Sequence, residues 1–142
     1  MQTEQKVYEK KRKNYIKLLM IVDDDLDILT IMKKSLESDA KIKIYGFTSP
    51  VAAIQQFAIN PQDYDAVISD IRMPAMNGFE LARKILQINP STKVFLTTAF
   101  EVNMKEFSVV FQSLKVSGII SKQFRPSELK NLILKHLQKT EA

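Results

Sequence analysis

The chain has 142 residues, which is enough for one domain with a normal buried core and too few for a second domain of ordinary size. It contains no cysteine, and this excludes disulfide bonds, thiolate metal sites and thiol redox chemistry. The formal net charge is +5 at pH 7, but residues 1–17 hold six Lys or Arg against two Glu. The rest of the chain is almost neutral, so the charge does not favour nucleic-acid binding.

The amino-terminal segment is predicted to be a basic arm outside the folded domain. Residues 1–16 are expected to be flexible or to extend the first strand, one domain is expected over 17–138, and 139–142 form a tail. The first residues lack the positive-then-apolar order of a signal peptide, and no apolar run approaches the roughly 20 residues of a membrane span. We therefore expect a cytoplasmic protein without membrane insertion.

After the arm, short apolar runs alternate along the chain with segments of helical periodicity. The first run, 18–22, is continuous and too short for a helix, which is typical of a buried parallel strand. It is followed by 26–38, where apolar residues recur at spacings of three and four. The same alternation then predicts strands at 42–47, 66–69, 94–97 and 118–121, and helices at 51–59, 79–88, 102–114 and 127–137.

This alternation predicts an α/β fold of the (βα)5 type, a doubly wound parallel five-stranded sheet with helices on both faces. Periodicity does not determine the strand order. In a flavodoxin-like order, 2-1-3-4-5, strands one and three are neighbours. The crevice at their carboxyl ends then gathers Asp23, Asp24 and Asp70.

Three clustered carboxylates predict a cation, because like charges in one small space raise each other's pKa values. Mg²⁺ fits, since it prefers oxygen ligands, binds through one or two carboxylates and bridges to phosphate oxygens. A carboxylate beside Mg²⁺ can also act as the nucleophile toward a phosphoryl group. Thr98 and Lys122 follow the fourth and fifth strands and could bind phosphoryl oxygens there.

Simpler structural roles exist for several of these residues. An aspartate after a strand is often only a helix N-cap, and we assign that role to Asp25 or Asp27 for the first helix. Thr98, together with the threonine before it, could be an ordinary strand residue, and Lys122 a surface lysine. One cap does not need two further acids ahead of it, so Asp23 and Asp24 are not explained by capping.

At these residues the chain resembles the receiver domain of two-component response regulators, over about residues 17–138. The segment 67–78 is similar to the family's phosphoacceptor segment, with Asp70 as the acceptor and with Pro74 and Gly78 at the family's spacing. The pair after the first strand is similar to the family's metal-binding acids. The resemblance implies the strand order 2-1-3-4-5, and it implies Mg²⁺ held by Asp23, Asp24, Asp70 and the backbone carbonyl of Arg72.

The resemblance also implies a function. Thr98 and Ala99 match the family's switch hydroxyl and its small neighbour, and Lys122 matches the family's lysine. Asp70 would take a phosphoryl group from a sensor histidine kinase or a histidine phosphotransfer protein. A downstream target would then dock on the face formed by the fourth helix, the fifth strand and the fifth helix. We expect no output domain after the fifth helix, so we expect a partner protein to carry the output, and we expect no enzyme activity.

Two positions depart from the family pattern. Ile119 stands at the switch-relay position, where the family usually has Tyr or Phe, and Gln123 replaces the proline that usually follows the lysine on a cis bond. A cis bond before a non-proline residue costs about 2.5–4 kcal/mol, so we expect a trans bond there. Both departures favour one alternative, a receiver-fold binding module that works without phosphorylation.

A second alternative is a phosphohydrolase with an aspartate nucleophile, as in haloacid dehalogenases. It is suggested by the Asp-x-Asp spacing of Asp23 and Asp25, but no aspartate follows Asp70 to complete that family's metal site. The single histidine, His136, lies at the edge of the apolar stripe of the last helix, and we expect it to be a packing or solvent-edge residue and not a phosphoacceptor.

Overall fold

A computed structural model of the chain describes residues 16–99 and 112–139. The basic arm and most of the helix predicted over 102–114 lie outside these residues, although residues 112–114 are helical. In chain order the elements are β1 (Lys17–Val22), α1 (Leu26–Glu37), β2 (Ile42–Phe47), α2 (Pro50–Ile59), β3 (Ala66–Asp70), α3 (Gly78–Ile88), β4 (Lys93–Thr98), β5 (Gly118–Ser121) and α4 (Pro126–Lys139).

The five strands form one parallel sheet in the order β2-β1-β3-β4-β5. This confirms the predicted fold class and strand order. The strand order reverses between β1 and β3, and such a switch point opens a crevice beyond the carboxyl ends of the strands.

Side chains alternate between the two faces of the sheet and form two cores. On one face, Met20 and Val22 pack with Phe57 of α2 and Leu81 of α3. On the other face, Ile21 packs among buried residues of α1 and α4. Because both faces are covered, the central strands are almost fully buried, and this is why they appear in the sequence as continuous apolar runs.

The helices begin where the sequence supplies caps. Asp25 is the N-cap of α1 and accepts hydrogen bonds from the amides of Asp27 and Ile28, so the capping prediction is confirmed for Asp25. Ser49 and Asn77 cap α2 and α3 in the same way. Asp25 and Asn77 stand at the carboxyl-end crevice, so these caps also hold the loops of the candidate site.

His136 on α4 is a packing residue, as predicted. Its ring meets the ring of Phe95 edge to face, with centroids 5.0 Å apart, and its Nδ1 lies 3.0 Å from the carbonyl oxygen of Leu132. Within residues 16–99 and 112–139, no helix is long and apolar enough to cross a membrane.

Candidate functional site

Three carboxylates meet at the carboxyl ends of β1 and β3. Val22 pairs with Ser69 in the parallel register, so the next residues, Asp23 and Asp70, lie side by side on neighbouring strands. Each of Asp23, Asp24 and Asp70 offers a carboxylate oxygen, and these oxygens lie within 4.8 Å of one another. Asp23 and Asp70 are 1% and 6% exposed, whereas Asp24 is open to solvent. The cluster therefore has two buried acids and one at its mouth.

The three consecutive aspartates after β1 have different local roles. The Asp23 amide donates to the carbonyl oxygen of Phe47 on β2, and its Oδ1 accepts a hydrogen bond from the Asp25 amide at 2.9 Å. The side chain of Asp25 is turned to the first amides of α1. The Asp25 carboxylate therefore caps α1 and is not among the clustered carboxylates.

Lys122 carries the positive charge that the acids require. Its Nζ lies 3.1 Å from Asp23 Oδ2 and 3.1 Å from Asp70 Oδ2. The Lys122 amide donates to the carbonyl oxygen of Thr98, which holds the start of this loop against the end of β4. Lys122 thus extends from the β5 side of the sheet to bridge the two buried acids.

The electrostatics of the site are dominated by burial. Burial raises the pKa of Asp23 above its ordinary value of 3.8, and the repulsion from Asp70 adds to this, while the Asp25 amide and Lys122 act in the opposite direction. Burial alone would lower the pKa of Lys122, but its contacts with Asp70 and Asp23 outweigh burial and raise it. Lys122 is therefore held as a cation, and burial disfavours the ionised form of Asp23.

The loop after Asp70 approaches the β3 backbone very closely. The Gly78 amide donates to the carbonyl oxygen of Ile71 at 2.8 Å, and a Cβ at Gly78 would lie 2.3 Å from the Asp70 carbonyl oxygen. Only glycine fits this approach. Ala75 has φ 71°, and the Met76 amide bonds the Pro74 carbonyl oxygen across it, so the turn is a strained γ-turn.

The remaining predicted site residues lie on β4 and β5 and in the loops that follow β3 and β4. Thr98 is half-buried at the end of β4, where it pairs with Ser121, and Ala99 is exposed just after it. Arg72 is exposed in the loop after Asp70 and lines, with four loop neighbours and Phe79 of α3, a surface cavity of about 430 Å³. Ile119 pairs with Leu96 and packs half-buried against the core formed with α2 and α3.

The loop after Lys122 contains no cis bond. All peptide bonds of the described residues are trans, which confirms the expectation for the bond before Gln123. The Gln123 amide, which a proline would lack, donates to Ser121 Oγ at 3.2 Å. Gln123 therefore has a satisfied backbone donor in a trans loop that still delivers Lys122 to the acids.

Sequence reasoning gave no site role to Thr97, which is only 1% exposed. Its Oγ1 makes no hydrogen bond to any described residue, and Thr97 pairs with Asp70 across the β3–β4 ladder. The signal in the sequence is a polar residue at the end of an apolar strand. Its importance depends on the strand register, which pairs it with Asp70.

The donor set fits a hard divalent cation. The ligand atoms are carboxylate oxygens, with no thiolate in the chain. Asp23 Oδ2 is buried and makes no directed hydrogen bond among the described residues, although it contacts Lys122 as an ion pair. An atom of this kind is available as a metal ligand, so the cluster could hold a metal ion.

The chain matches the family model of the response regulator receiver domain over residues 19–134. It is 31% identical over 123 residues to the response regulator receiver protein CpdR of Brucella abortus (strain 2308), a match that covers 86% of this chain and 98% of CpdR. It is 36% identical over 80 residues to the C4-dicarboxylate transport transcriptional regulatory protein DctD of Rhizobium meliloti (strain 1021), covering 56% of this chain and 17% of DctD. The chain thus spans nearly all of one relative and a small part of another.

The fold is similar to that of solved structures. The crystal structure of a CheY-like response regulator receiver domain protein from Methanospirillum hungatei JF-1 superposes with a TM-score of 0.78 at 26% identity. The match covers 89% of this chain and 97% of that chain.

Proposed function

Because the chain belongs to the response regulator receiver domain family of two-component systems, we propose that it accepts a phosphoryl group on Asp70 and signals to a partner protein. One observation carries this proposal: Asp70 ends β3 beside two further acids, with the Lys122 ammonium 3.1 Å from its Oδ2. A carboxylate in this setting has a cation ready to neutralise an incoming phosphoryl group.

In the proposed step, a carboxylate oxygen of Asp70 attacks the phosphorus of a phosphohistidine on a sensor histidine kinase or a histidine phosphotransfer protein. An O–P bond forms and the N–P bond breaks, while the histidine nitrogen keeps the electron pair and takes a proton from water. Lys122 then pairs with a phosphoryl oxygen, and the Thr98 hydroxyl donates to another. Ala99, being small and exposed, leaves room for the phosphoryl group.

The metal of the proposal is Mg²⁺. Asp23, Asp24, Asp70 and the backbone carbonyl of Arg72 would hold it, in keeping with the oxygen-only donor set of the cluster. When bound, Mg²⁺ neutralises charge on the transferring phosphoryl oxygens. The raised pKa of Asp23 is consistent with this use, because a divalent cation favours the ionised acid that burial disfavours.

The proposed output is a shift between two conformations of the domain over 17–138. The phosphoryl group contacts Lys122 and Thr98 differently in the two conformations and so changes their populations. A target protein would dock on the face formed by the segment 102–114, β5 and α4. Residues 1–16 would serve as a basic arm and 139–142 as a tail, and neither is needed for the phosphoryl step.

Incubation with Mg²⁺ and acetyl phosphate, followed by intact mass measurement, tests the proposal. We expect the purified chain to gain one phosphoryl group, and Asp70→Asn to gain none. Asp25→Asn is the matched control, because asparagine is an equally good N-cap and Asp25 is outside the cluster. Absence of the adduct in the natural chain, or its persistence in Asp70→Asn, would refute the proposal.

The alternative of a binding module that works without phosphorylation is supported by two features of β5 and the loop after it. Ile119 at the relay position and the trans loop at Gln123 both support a receiver-fold module that binds its partner without phosphorylation. This reading requires a partner affinity that does not change on addition of phosphodonor or in Asp70→Asn. The phosphohydrolase alternative is disfavoured, because the carboxylate of Asp25 is held by the α1 amides.

A further inference from the structure

The hydroxyl of Thr97 is a buried polar group without a hydrogen-bond partner among residues 16–99 and 112–139. Thr97 is 1% exposed, and its Oγ1 makes no hydrogen bond to the residues that the structure describes. Buried hydroxyls in folded proteins are nearly always hydrogen-bonded, because an unpaired one retains its full cost of desolvation. A partner that arrives only in another state of the site would explain this arrangement.

Strand register places Thr97 next to Asp70. The two residues are direct partners across the parallel β3–β4 ladder. Ile68 and Phe95 both point into the core formed with α1 and α4, so Asp70 and Thr97, each two residues further on, point to the same side of the sheet. Thr98 points to the opposite side, so the two adjacent threonines approach the end of β3 from different faces.

Lys122 extends over this position. β4 lies between β3 and β5 in the sheet, Lys122 follows β5, and its Nζ is 3.1 Å from Asp70 Oδ2 at the end of β3. The lysine side chain therefore spans the end of β4, where Thr97 is located. Register and strand order thus place the Asp70 carboxylate, and the lysine paired with its Oδ2, beside the position of Thr97.

We propose that Thr97 is a second hydroxyl donor of the site, which hydrogen-bonds to Asp70 once Asp70 carries a phosphoryl group. In an acyl phosphate one aspartyl oxygen is bonded to phosphorus and the other remains a carbonyl acceptor. Lys122 is drawn to the phosphoryl oxygens, and Thr97 donates to the aspartyl oxygen that the lysine leaves. This inference rests on the proposed function, and it adds a residue that favours the phosphorylated state over the free state.

The test measures binding of beryllofluoride, a phosphoryl mimic formed from beryllium chloride and sodium fluoride, to the full chain with Mg²⁺ by calorimetry. Thr97→Val removes the hydroxyl and keeps the shape, and Thr97→Ser restores a hydroxyl. We expect Val to weaken the Kd about ten-fold and Ser to stay within about three-fold, which is the upper range for a hydrogen bond to an uncharged carbonyl acceptor. The free Val variant should unfold at an unchanged or higher temperature, because it loses a buried hydroxyl that has no partner in the described part of the chain.

Thr92→Val is the matched control. The Thr92 hydroxyl is also buried without a partner among the described residues, but Thr92 precedes β4 at the opposite edge of the sheet. It should leave the Kd unchanged. Beryllofluoride binding by Thr97→Val equal to that of the natural chain, or weaker binding that accompanies loss of thermal stability, overturns the inference. If the natural chain itself does not bind, the proposed function fails with it, and Asp70→Asn shows whether any binding occurs at the acceptor.

Discussion

Replacing Asp23 with asparagine is expected to raise the free energy of unfolding at neutral pH. Asparagine keeps the shape of the side chain and keeps Oδ1 as the acceptor for the Asp25 amide. It removes only the charge of an acid that is 1% exposed and lies beside Asp70. The variant therefore measures the cost of holding this carboxylate ionised inside the fold.

The structure allows the magnitude of this effect to be worked out. With an effective dielectric constant of about 20, the Lys122 ion pair at 3.1 Å contributes about 5 kcal/mol of attraction to Asp23. The repulsion between the Asp23 and Asp70 carboxylates, whose oxygens lie within 4.8 Å, opposes it with about 3.5 kcal/mol. Burial of the Asp23 charge costs several kcal/mol more. Attraction exceeds repulsion by only about 1.5 kcal/mol, which is less than the cost of burial. The balance therefore disfavours the ion, in the same direction as the raised pKa of Asp23.

The pH dependence follows from the sign of that shift. The pKa of Asp23 is higher in the folded state than its ordinary 3.8, so over the interval between these values the folded chain binds more protons than the unfolded chain. The contribution of Asp23 to stability therefore falls as the pH rises through this interval. Asp23→Asn has no carboxyl to ionise, so its stability does not fall for this reason. The stability difference between the variant and the natural chain should be near zero below about pH 4 and larger at pH 7.

Urea unfolding followed by circular dichroism, with EDTA present, measures the stability gain of Asp23→Asn. Measurements at pH 7 and at pH 3.5 to 4 give its pH dependence. Asp24→Asn is the matched control, and its gain should be smaller because Asp24 is exposed. Addition of Mg²⁺ should then stabilise the natural chain and stabilise Asp23→Asn much less, since the variant lacks a ligand. A variant less stable than the natural chain at pH 7 would mean that the ion pair with Lys122 outweighs burial, and the reasoning would be wrong.

Two further predictions concern the backbone of the site. Gly78→Ala should lower the free energy of unfolding by about 2–3 kcal/mol, because its Cβ would lie 2.3 Å from the Asp70 carbonyl oxygen. Gly118→Ala, whose Cβ would meet only the Phe95 ring at 3.3 Å, should lose less than about 1 kcal/mol, and equal losses in urea unfolding would contradict the argument. Ala75→Gly should raise the free energy of unfolding by about 0.5–1 kcal/mol and raise the melting temperature with it, because φ 71° strains alanine and not glycine. A lower melting temperature would show that the flexibility of glycine in the unfolded chain outweighs the strain.

The elements of the sheet were predictable because burial leaves its pattern in the sequence. The bounds of β2 and β5 agree with the predicted 42–47 and 118–121, since apolar runs and polar boundaries coincide there. The predicted 66–69 and 94–97 were too short, and the strands extend to Asp70 and Thr98. At these ends the backbone ladder continues past the last apolar residue, so hydropathy alone stops too early. These strand ends also carry the candidate site residues Asp70 and Thr98.

Other features depend on contacts between distant segments and have no local signature. The sequence suggested that Lys122 lies at the same edge as the acids, but not that one ammonium would bridge Asp23 and Asp70 from across β4. The positive φ of Ala75 was also not predictable, because alanine has no preference for the left-handed region. The loop adopts it because the Gly78 amide and the Ile71 carbonyl close the turn around it. The phosphoacceptor, phosphoryl-binding and metal-binding roles of these residues stay predictions.

The site concentrates local arrangements that a fold optimised only for stability would avoid. Asp23 is buried with a raised pKa, the Thr97 hydroxyl has no partner among the described residues, and Ala75 is strained. Folded proteins retain such costs mainly where function requires them. A divalent cation would favour the ionised Asp23, and an acyl phosphate would offer Thr97 an acceptor. The energetic costs at Asp23 and Thr97 would therefore both be lower in the phosphorylated, metal-bound state. Phosphorylation would then shift the conformational equilibrium of the domain by more than the phosphoryl contacts alone would.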